Sequence, residues 1–319
     1  MECCPQVTHD DILNAAERVR GSVERTPLIE AEIRGHRVWL KCECLQTGGS
    51  FKLRGATNRL MLLTDEERAR GVVAFSSGNH AQGVAIAAKR LGIPAIIVMP
   101  SDAPRLKIEG TRAYGAEIIF YDRYKESREE IAARIGAEKG SVVVPSFDDP
   151  HIIAGQGTAG LEILEQLQEA CAPSPAKILV NCGGGGLTSG IALACPDAEV
   201  IPVEPEGWDD MRLSLERGEI VPVGPNPPPT LCDAIQTLRV SPITFGILKD
   251  RGARGLAVSE EEMASAVRWA WKEHGLVVEP GAAVSIGALL AGKAEIVPET
   301  VALVSGGNID PALHRQLVA

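Results

Sequence analysis

The sequence predicts an α/β protein in which short, mostly parallel strands alternate with helices. Brief runs of β-branched residues are separated by longer helix-like segments, which is the pattern of a doubly wound α/β fold. The chain has 319 residues, of which 45% are hydrophobic, enough for one large domain or two smaller ones. Only 4% of the residues are aromatic, whereas Gly reaches 33 and Pro 21, a balance that suits many tight turns. We therefore expect a packed globular protein with two lobes.

The first series of strands and helices is expected between residues 71 and 146. The predicted strands are 71–77, 94–100, 116–122 and 141–146. The predicted helices are 79–92, 104–115 and 124–140. Gly92 ends the first of these helices, because glycine readily adopts the left-handed conformation that closes a helix. These units predict one compact lobe.

The same alternation resumes in the second half of the chain. A helix is expected at 160–167, and a strand runs into a glycine-rich loop at 177–186. Further strands are expected at 198–205 and 299–308. The proline-rich segment 224–230 is expected to cross the surface as an extended connector.

Composition and charge favour a small soluble substrate. The formal charge is −10 and there is no basic block, so we expect no nucleic-acid partner. The start of the chain lacks the apolar stretch of a signal peptide, and no run of about 18 apolar residues suggests a membrane span, so we expect a cytoplasmic protein. The 8 cysteines, which include Cys3 and Cys4, form no CxxC pair and are interpreted as core hydrophobes rather than disulfides or zinc ligands.

The segment NCGGGGLTSG, residues 181–190, follows a predicted strand and opens a helix. Consecutive glycines allow several backbone N–H groups to converge, and the helix adds its positive end, so this loop suits an anion such as phosphate. The spacing is neither GxGxxG nor that of a P-loop, which disfavours a nucleotide. A flexible strand–helix junction is the alternative interpretation of the loop taken alone.

Lys52 stands in TGGSFKLRGATNRL, behind two glycines and ahead of a helix-like run. It could be an ordinary salt-bridged surface lysine. A buried lysine has a lowered pKa, however, and is the side chain that forms a Schiff base with an aldehyde. An aldehyde that carries a phosphate would connect this lysine with the glycine loop. Pyridoxal 5′-phosphate fits that description.

Five motifs in order give the chain a clear resemblance. They are SFKLRGA (50–56), SSGNHAQG (76–83), GQGT (155–158), CGGGGLTSG (182–190) and VSGGNID (304–310). The chain resembles the fold-type II pyridoxal-phosphate enzymes, and most closely the serine racemase and serine/threonine dehydratase family. The resemblance implies two lobes, each with a twisted, mostly parallel sheet flanked by helices, and an active site between them. It implies a large cofactor-binding domain of residues 1–70 and 149–319, a small mobile domain of residues 71–148, and a homodimer.

The resemblance also implies which residues bind the cofactor. Lys52 would form the Schiff base with Phe51 packed beside it, and Asn79 would hydrogen-bond the ring's 3-oxygen. Ser305 would face the ring nitrogen, and a hydroxyl there does not force that nitrogen to be protonated, which favours prompt loss of a β-leaving group. The phosphate would be bound by Gly183, Gly184, Gly185, Gly186 and Leu187.

The implied substrate-binding residues are Ser76, Asn79, His80, Arg128 and Thr237. His80 could also be an ordinary histidine at a helix start, and Arg128 could be a solvated arginine paired with Glu129 or Glu130. Ser77 falls where the family places a hydroxyl on the cofactor face opposite the lysine. Two bases, Lys52 and Ser77, are what racemisation needs, whereas elimination needs one.

A divalent-cation site is implied by VEPEGWDD, residues 203–210. Its ligands would be the carboxylates of Glu204 and Asp210 and the backbone carbonyl of Trp208, a hard-oxygen set that suits Mg²⁺ or Ca²⁺. A plain acidic turn is the alternative.

Two positions depart from the family pattern and leave the substrate open. Ala234 follows Asp233 where the family usually has glycine, and Gly281 follows Glu279 and Pro280 where serine or threonine is more frequent. An added methyl group beside the cofactor ring would alter either the tilt of the ring or the room for substrate.

The expected function is β-elimination from an L-hydroxyamino acid such as serine or threonine, which yields a 2-oxo acid and ammonia. The alternatives are a serine racemase and a dehydratase for 3-hydroxyaspartate or phenylserine. A β-replacement synthase is disfavoured because TGGSFK and SGNHAQG stand where that group has different signatures. A non-catalytic phosphate- or cofactor-binding protein is the alternative from another functional class.

Overall fold

The computed structural model describes residues 7–103 and 105–319. The expected start of a helix at Pro104 and the cysteines Cys3 and Cys4 lie outside these residues. The strands are β1 (Leu28–Ile33), β2 (His36–Lys41), β3 (Val72–Phe75), β4 (Ala95–Pro100), β5 (Glu117–Tyr121), β6 (Val142–Val143), β7 (Lys177–Asn181), β8 (Glu199–Pro205), β9 (Leu256–Val258) and β10 (Thr300–Leu303). The first seven helices are α1 (His9–Val19), α2 (Lys52–Met61), α3 (Asp65–Arg70), α4 (Asn79–Leu91), α5 (Arg105–Ala113), α6 (Arg128–Lys139) and α7 (Pro150–Glu169). The other six are α8 (Gly186–Ala194), α9 (Asp210–Arg217), α10 (Pro242–Asp250), α11 (Glu260–His274), α12 (Pro280–Leu290) and α13 (Pro311–Val318).

The strands form two sheets, which confirms the predicted α/β class with mostly parallel strands. The larger sheet has six strands in the order β1-β2-β10-β7-β8-β9, and only the pair β1 and β2 is antiparallel. The smaller sheet has four parallel strands in the order β5-β4-β3-β6. Helices cover both faces of both sheets, as parallel sheets require because neither face can be left in water.

Each strand contributes alternate side chains to the two faces of its sheet. In β7, Leu179 packs toward α11 and α12, whereas Ile178 and Val180 pack toward α1, α7 and α8. In β3, Val72 and Ala74 pack toward α2 and α4, and Val73 packs toward α6. Continuous apolar strands of this kind are typical of sheets buried on both faces.

The expected elements of the smaller sheet are present, but several were predicted too long. The strand expected at 141–146 has only the two residues of β6. The helix expected at 124–140 begins at Arg128, because the Ser127 side chain accepts the backbone N–H of Glu130 and so caps the helix there. The strand expected at 71–77 ends at Phe75.

Helix α7 is much longer than the helix expected at 160–167. Asp149 caps it by accepting the N–H groups of His151 and Ile152, and Pro150 occupies its first turn. Glycines inside the helix concealed its first half, since glycine disfavours helix. They are required by close packing: a Cβ on Gly155 would lie 2.6 Å from the Cα of Gly55 in α2.

The described part of the chain contains no helix long and apolar enough to cross a membrane. Six cysteines fall within it, and all are free thiols. Five of these are buried, as expected for core hydrophobes, and Cys171 is exposed.

Candidate active site

A cavity of about 640 Å³ lies between the two sheets. Part of its wall comes from segments that follow the carboxyl ends of β3, β7 and β10, the usual position of ligand sites in parallel α/β sheets. Residues 76–80, 183–188 and Ser305 are contributed by these three segments. The volume is in the range of small-molecule sites.

The tetraglycine loop forms one wall of the cavity and has no room for side chains. A Cβ on Gly184 would lie 2.3 Å from the ring of Phe147, and one on Gly183 would lie 2.9 Å from Thr237 Oγ1. Gly185 has a φ of +88°, a left-handed conformation that glycine adopts without strain, and it is the N-cap residue of helix α8. The loop therefore presents backbone N–H groups and a helix N-terminus to the cavity, together with Leu187.

Lys52, the first residue of α2, extends into the same cavity. Its Nζ donates to the carbonyl of Ser146 at 2.9 Å and lies 5.1 Å from the ring centroid of Phe51. Desolvation lowers the pKa of this amine to about 8, although the carboxyl of Glu279 opposes the shift. A lysine with such a pKa is partly unprotonated near neutral pH and can act as a nucleophile or a base.

Ser305 and Asn79 present hydrogen-bonding groups to the cavity. Nδ2 of Asn181 lies 3.0 Å from Ser305 Oγ and carries no lone pair, so the Ser305 hydroxyl keeps its hydrogen for another acceptor. Asn79 opens helix α4, and its Nδ2 donates to Glu279 Oε1 at 2.6 Å. In the described chain this nitrogen has that one acceptor, so its second N–H remains available.

The loop before α4 contributes Ser76, Ser77 and His80 to the cavity wall. Ser76 Oγ accepts the N–H of Gly78 at 3.2 Å, whereas Ser77 is half-buried and forms no side-chain hydrogen bond with a described group. His80 Nε2 lies 2.9 Å from the carbonyl of Val144, so it must be the donor. Burial and the charge of Lys52 lower the pKa of His80 to about 3, which leaves a neutral ring with an acceptor at Nδ1.

Arg128 and Thr237 also line the cavity. Arg128 Nε donates to Glu129 at 2.8 Å, and its guanidinium lies 5.6 Å from the ring centroid of Phe75. Arg128 therefore lines the cavity and pairs with Glu129, and its role in substrate binding stays a prediction. The Thr237 side chain packs against Gly183 of the glycine loop.

The residues of the implied cation site lie apart from the cavity. Glu204 is buried and accepts the backbone N–H groups of Met211 and Arg212, at 3.0 and 2.8 Å. The N–H groups of Val240 and Asp210 itself face the Asp210 carboxylate, but neither carboxylate oxygen reaches hydrogen-bond geometry with a described group. Burial raises the pKa of both carboxyls, that of Asp210 to about 7. Within the described residues, no group of three or more His, Cys, Asp or Glu side chains is arranged so that it could hold a metal ion.

Some cavity residues were absent from the sequence prediction. Ser146 and Phe147 follow the short β6 and touch Lys52 and the glycine loop, but nothing in their local sequence indicates a site. Lys107 of α5 forms an ion pair with Asp233 across the cavity mouth. Glu279 enters the sequence prediction only as a neighbour of Gly281. These contacts join segments distant in sequence, so only the fold reveals them.

The fold and the cavity define an α/β enzyme with a desolvated lysine and a glycine anion cradle between two parallel sheets. The chain matches the family described as "Pyridoxal-phosphate dependent enzyme" over residues 19–307. It is 40% identical to the L-threo-3-hydroxyaspartate ammonia-lyase of Saccharomyces cerevisiae, with 98% of this chain and 96% of that protein covered. It is also 40% identical to the serine racemase of Schizosaccharomyces pombe, with coverage of 95% and 94%. A solved threonine deaminase from T.th. superposes with a TM-score of 0.87 at 41% identity, covering 96% of this chain and 99% of that one.

The chain therefore belongs to the pyridoxal-phosphate dependent enzymes of fold type II, in the family of serine racemases and serine/threonine ammonia-lyases. The cavity fits this cofactor. The amine of Lys52, with its lowered pKa, suits the aldehyde. The glycine loop leaves space for the phosphate that a Cβ on its residues would occupy. Asn79 and Ser305 each have a free hydrogen-bond donor for the ring.

Proposed function

We propose that this protein catalyses β-elimination from an L-hydroxyamino acid such as serine or threonine and releases a 2-oxo acid and ammonia. The observation that carries the proposal is the Lys52 amine, which has a pKa of about 8 and shares its cavity with the glycine cradle. An ammonia-lyase and a deaminase among the relatives of the chain support this reaction type.

Bound pyridoxal phosphate withdraws electrons from the Cα of an amino acid joined to it and so acidifies the Cα proton. Lys52 Nζ is the proposed base for that proton, because an amine with a pKa near 8 is partly unprotonated at neutral pH and still basic enough. The N–H groups of Gly183 to Leu187 would bind the phosphate. Asn79 Nδ2 would donate to the 3-oxygen and Ser305 Oγ to the ring nitrogen, while Phe51 would pack beside the ring.

The proposed carboxylate site is formed by the loop at the start of α4, with Ser76, Asn79 and the backbone N–H groups of the helix N-terminus. His80 would contribute its backbone N–H rather than its ring, because the neutral ring has an acceptor at Nδ1, which repels a carboxylate. Thr237 and Arg128, which also line the cavity, would contact the rest of the substrate.

Racemisation is the second candidate, and Ser77 is the residue that favours it. Its hydroxyl lines the cavity and forms no side-chain hydrogen bond with a described group, so it is available to exchange a proton with Cα on the face opposite Lys52. A serine racemase is among the relatives.

An acidic substrate such as 3-hydroxyaspartate is the third candidate. Lys107 and Arg128 line the cavity from the smaller sheet, and a β-carboxylate would pair with one of them in place of its present partner, Asp233 or Glu129. The yeast relative is named for this substrate. Phenylserine is a further candidate, because Ala234 lines the cavity and Gly281 packs behind Ala234 and Ile235 without a side chain.

One panel of assays ranks these candidates. Formation of 2-oxo acid is measured with each stereoisomer of serine, threonine, 3-hydroxyaspartate and phenylserine, and chiral chromatography measures D-serine formed from L-serine. We expect 2-oxo acid from an L-isomer, and we expect Lys52→Ala to abolish it. D-serine that accumulates faster than pyruvate would make racemisation the main activity. A Lys52→Ala variant with normal turnover would contradict the proposal.

The proposed cation site consists of Glu204, Asp210 and the carbonyl of Trp208, with Mg²⁺ or Ca²⁺ as the ion. The support is the Asp210 carboxylate, which is buried without a hydrogen bond to a described group. A buried carboxylate without a partner is unfavourable, and a cation would supply the missing one.

The proposed organisation is a homodimer in the cytoplasm. Residues 71–148 would move as a small domain against residues 1–70 and 149–319. The support for motion is the cavity between the sheets, which is crossed by polar contacts such as Lys107 to Asp233. The support for the cytoplasm is the set of free thiols in the described chain, since reducing compartments preserve thiols. Sedimentation analysis tests the dimer.

A further inference from the structure

A chain of hydrogen bonds holds the Asn79 amide from both sides. Asn79 Nδ2 donates to Glu279 Oε1 at 2.6 Å, and Asn79 Oδ1 accepts from Asn308 Nδ2 at 2.8 Å. Asn308 Nδ2 also donates to the carbonyl of Gly48 at 2.8 Å. These hydrogen bonds connect the start of α4 with the start of α12 and with the loop after β10.

The two ends of this chain fix the direction of every donor in it. A backbone carbonyl only accepts hydrogen bonds, so the carbonyl of Gly48 requires the nitrogen of Asn308 to face it. The Asn308 nitrogen is a donor, so the Asn79 atom that faces it must be the acceptor, Oδ1. The Asn79 nitrogen therefore faces Glu279. An asparagine amide alone could adopt either orientation. Here its second N–H is left free at the cavity wall.

Two glycines provide the room that this arrangement needs. A Cβ on Gly306 would lie 2.1 Å from Glu279 Oε1 and 3.3 Å from Asn79 Nδ2. A Cβ on Gly49 would lie 2.3 Å from Asn308 Oδ1. The same loops are joined by backbone bonds, from Gly307 N to Gly49 O at 2.8 Å and from Phe51 N to Ser305 O at 3.2 Å. The loop that contains Asn308 is therefore held against the turn just before Lys52.

We propose that Glu279 and Asn308 are positioning residues that act through Asn79, orienting its amide so that an N–H rather than the oxygen faces the cofactor's 3-oxygen. The inference rests on the proposed function, because that function places the 3-oxygen at Asn79. It assigns a role to two residues that have none in the proposed reaction.

The surroundings of Glu279 agree with this role. Its side chain is buried, and Oε2 has no hydrogen-bond partner among the described groups. Burial and the charge of Asp233 raise its pKa to about 8, while Asn79, Lys107 and Lys52 act in the opposite direction. Whether the proton is present on Oε2 or not, Oε1 remains an acceptor, so the orientation of Asn79 is kept in both states.

The test compares the visible absorption spectra of the wild-type and variant holoenzymes. The intensity ratio of the two cofactor bands reports whether the proton shared by the imine nitrogen and the 3-oxygen is on the nitrogen or on the oxygen. Glu279→Gln retains an oxygen that can accept from Asn79 and should keep the wild-type ratio. Glu279→Leu removes the acceptor. Asn308→Asp removes the donor and should turn the amide around. In both we expect the ratio to change by about two- to tenfold, the effect of one lost hydrogen bond.

Two further variants separate orientation from stability. In Glu279→Gln/Asn308→Asp, a reversed chain of hydrogen bonds can form around a turned amide, so we expect a melting temperature above that of Asn308→Asp but an altered band ratio. Glu299→Gln is the matched control, because Glu299 is also buried and accepts from Trp39 at 2.6 Å far from the cavity. It should lower the melting temperature and leave the bands unchanged.

A wild-type ratio in fully loaded Glu279→Leu would overturn the inference, as would a Glu279→Gln spectrum that departs as far as that of Glu279→Leu. A wild-type ratio in the double variant would overturn it too. A wild-type protein that takes up no cofactor would remove the bands from every sample and would overturn the proposed function with it.

Discussion

Ala234 and Gly281 face each other beside the cavity: a Cβ on Gly281 would lie 3.6 Å from the Cβ of Ala234. These are the two positions at which the chain is expected from its sequence to depart from the family pattern. The methyl group of Ala234 thus lies next to the place that a side chain on residue 281 would occupy. We therefore expect the two positions to act as one local exchange of volume rather than independently, because they share the same contact.

The first prediction concerns this exchange. Gly281→Ala should destabilise the protein by about 1–3 kcal/mol, because the new Cβ would lie 3.1 Å from Ile235 Cγ1 in a packed region. Adding Ala234→Gly removes the contact at 3.6 Å and gives the adjacent Ile235 room to shift, so we expect a coupling of about 0.5 kcal/mol or more. Denaturant unfolding of the two single variants and the double variant measures the coupling. Strictly additive effects would show that the two sites do not share volume.

The second prediction concerns Lys52 and pH. Only the unprotonated amine attacks an aldehyde, so the rate of cofactor uptake by the apoenzyme should rise with pH and level off above about pH 8, the pKa to which desolvation lowers this amine. Stopped-flow absorption across pH measures this rate, with Lys52→Ala as the control that gives none. A rate that continues to rise toward the ordinary lysine pKa of 10.5 would show that the amine is not desolvated.

The third prediction concerns Glu279 and the stability of the apoenzyme. Its pKa is raised from 4.5 to about 8, so between these values the folded state keeps a proton that the unfolded state has lost. The unfolded state then binds fewer protons, and stability falls as pH rises through this window, by on the order of a few kcal/mol. Glu279→Gln should lack this contribution. Denaturant unfolding of both proteins at each end of the window checks it, and parallel pH profiles would contradict it.

The fourth prediction concerns the proposed cation site. Millimolar Mg²⁺ or Ca²⁺ should raise the melting temperature by roughly several degrees, because an ion that binds only the folded state stabilises it. Asp210→Asn should abolish this shift, whereas Asp197→Asn, at an exposed acid outside the proposed ligand set, should retain it. Thermal unfolding with and without chelator measures the effect. An equal shift in both variants would place the ion elsewhere.

Sequence reasoning worked best where the chemistry is local. Four glycines before a helix present N–H groups whatever the rest of the fold does, so the cradle at Gly183–Gly186 could be predicted from the motif alone. It worked less well for α7, whose glycines look like helix breakers. Gly157 is needed there because a Cβ would lie 2.8 Å from the carbonyl of Gly190 in α8, and no local pattern encodes a contact between two helices.

The sequence by itself determined the fold class, the family and the motifs at Lys52, at Asn79 and in the glycine loop, because each is written in a few consecutive residues. Only the tertiary structure decided the properties of these groups. The lowered pKa of Lys52 requires burial, and the tautomer of His80 requires the carbonyl of Val144. The orientation of the Asn79 amide requires Glu279 and Asn308, which are 200 and 229 residues away along the chain. Desolvation and hydrogen-bond direction depend on groups that meet in space, so they are settled only when the chain has folded.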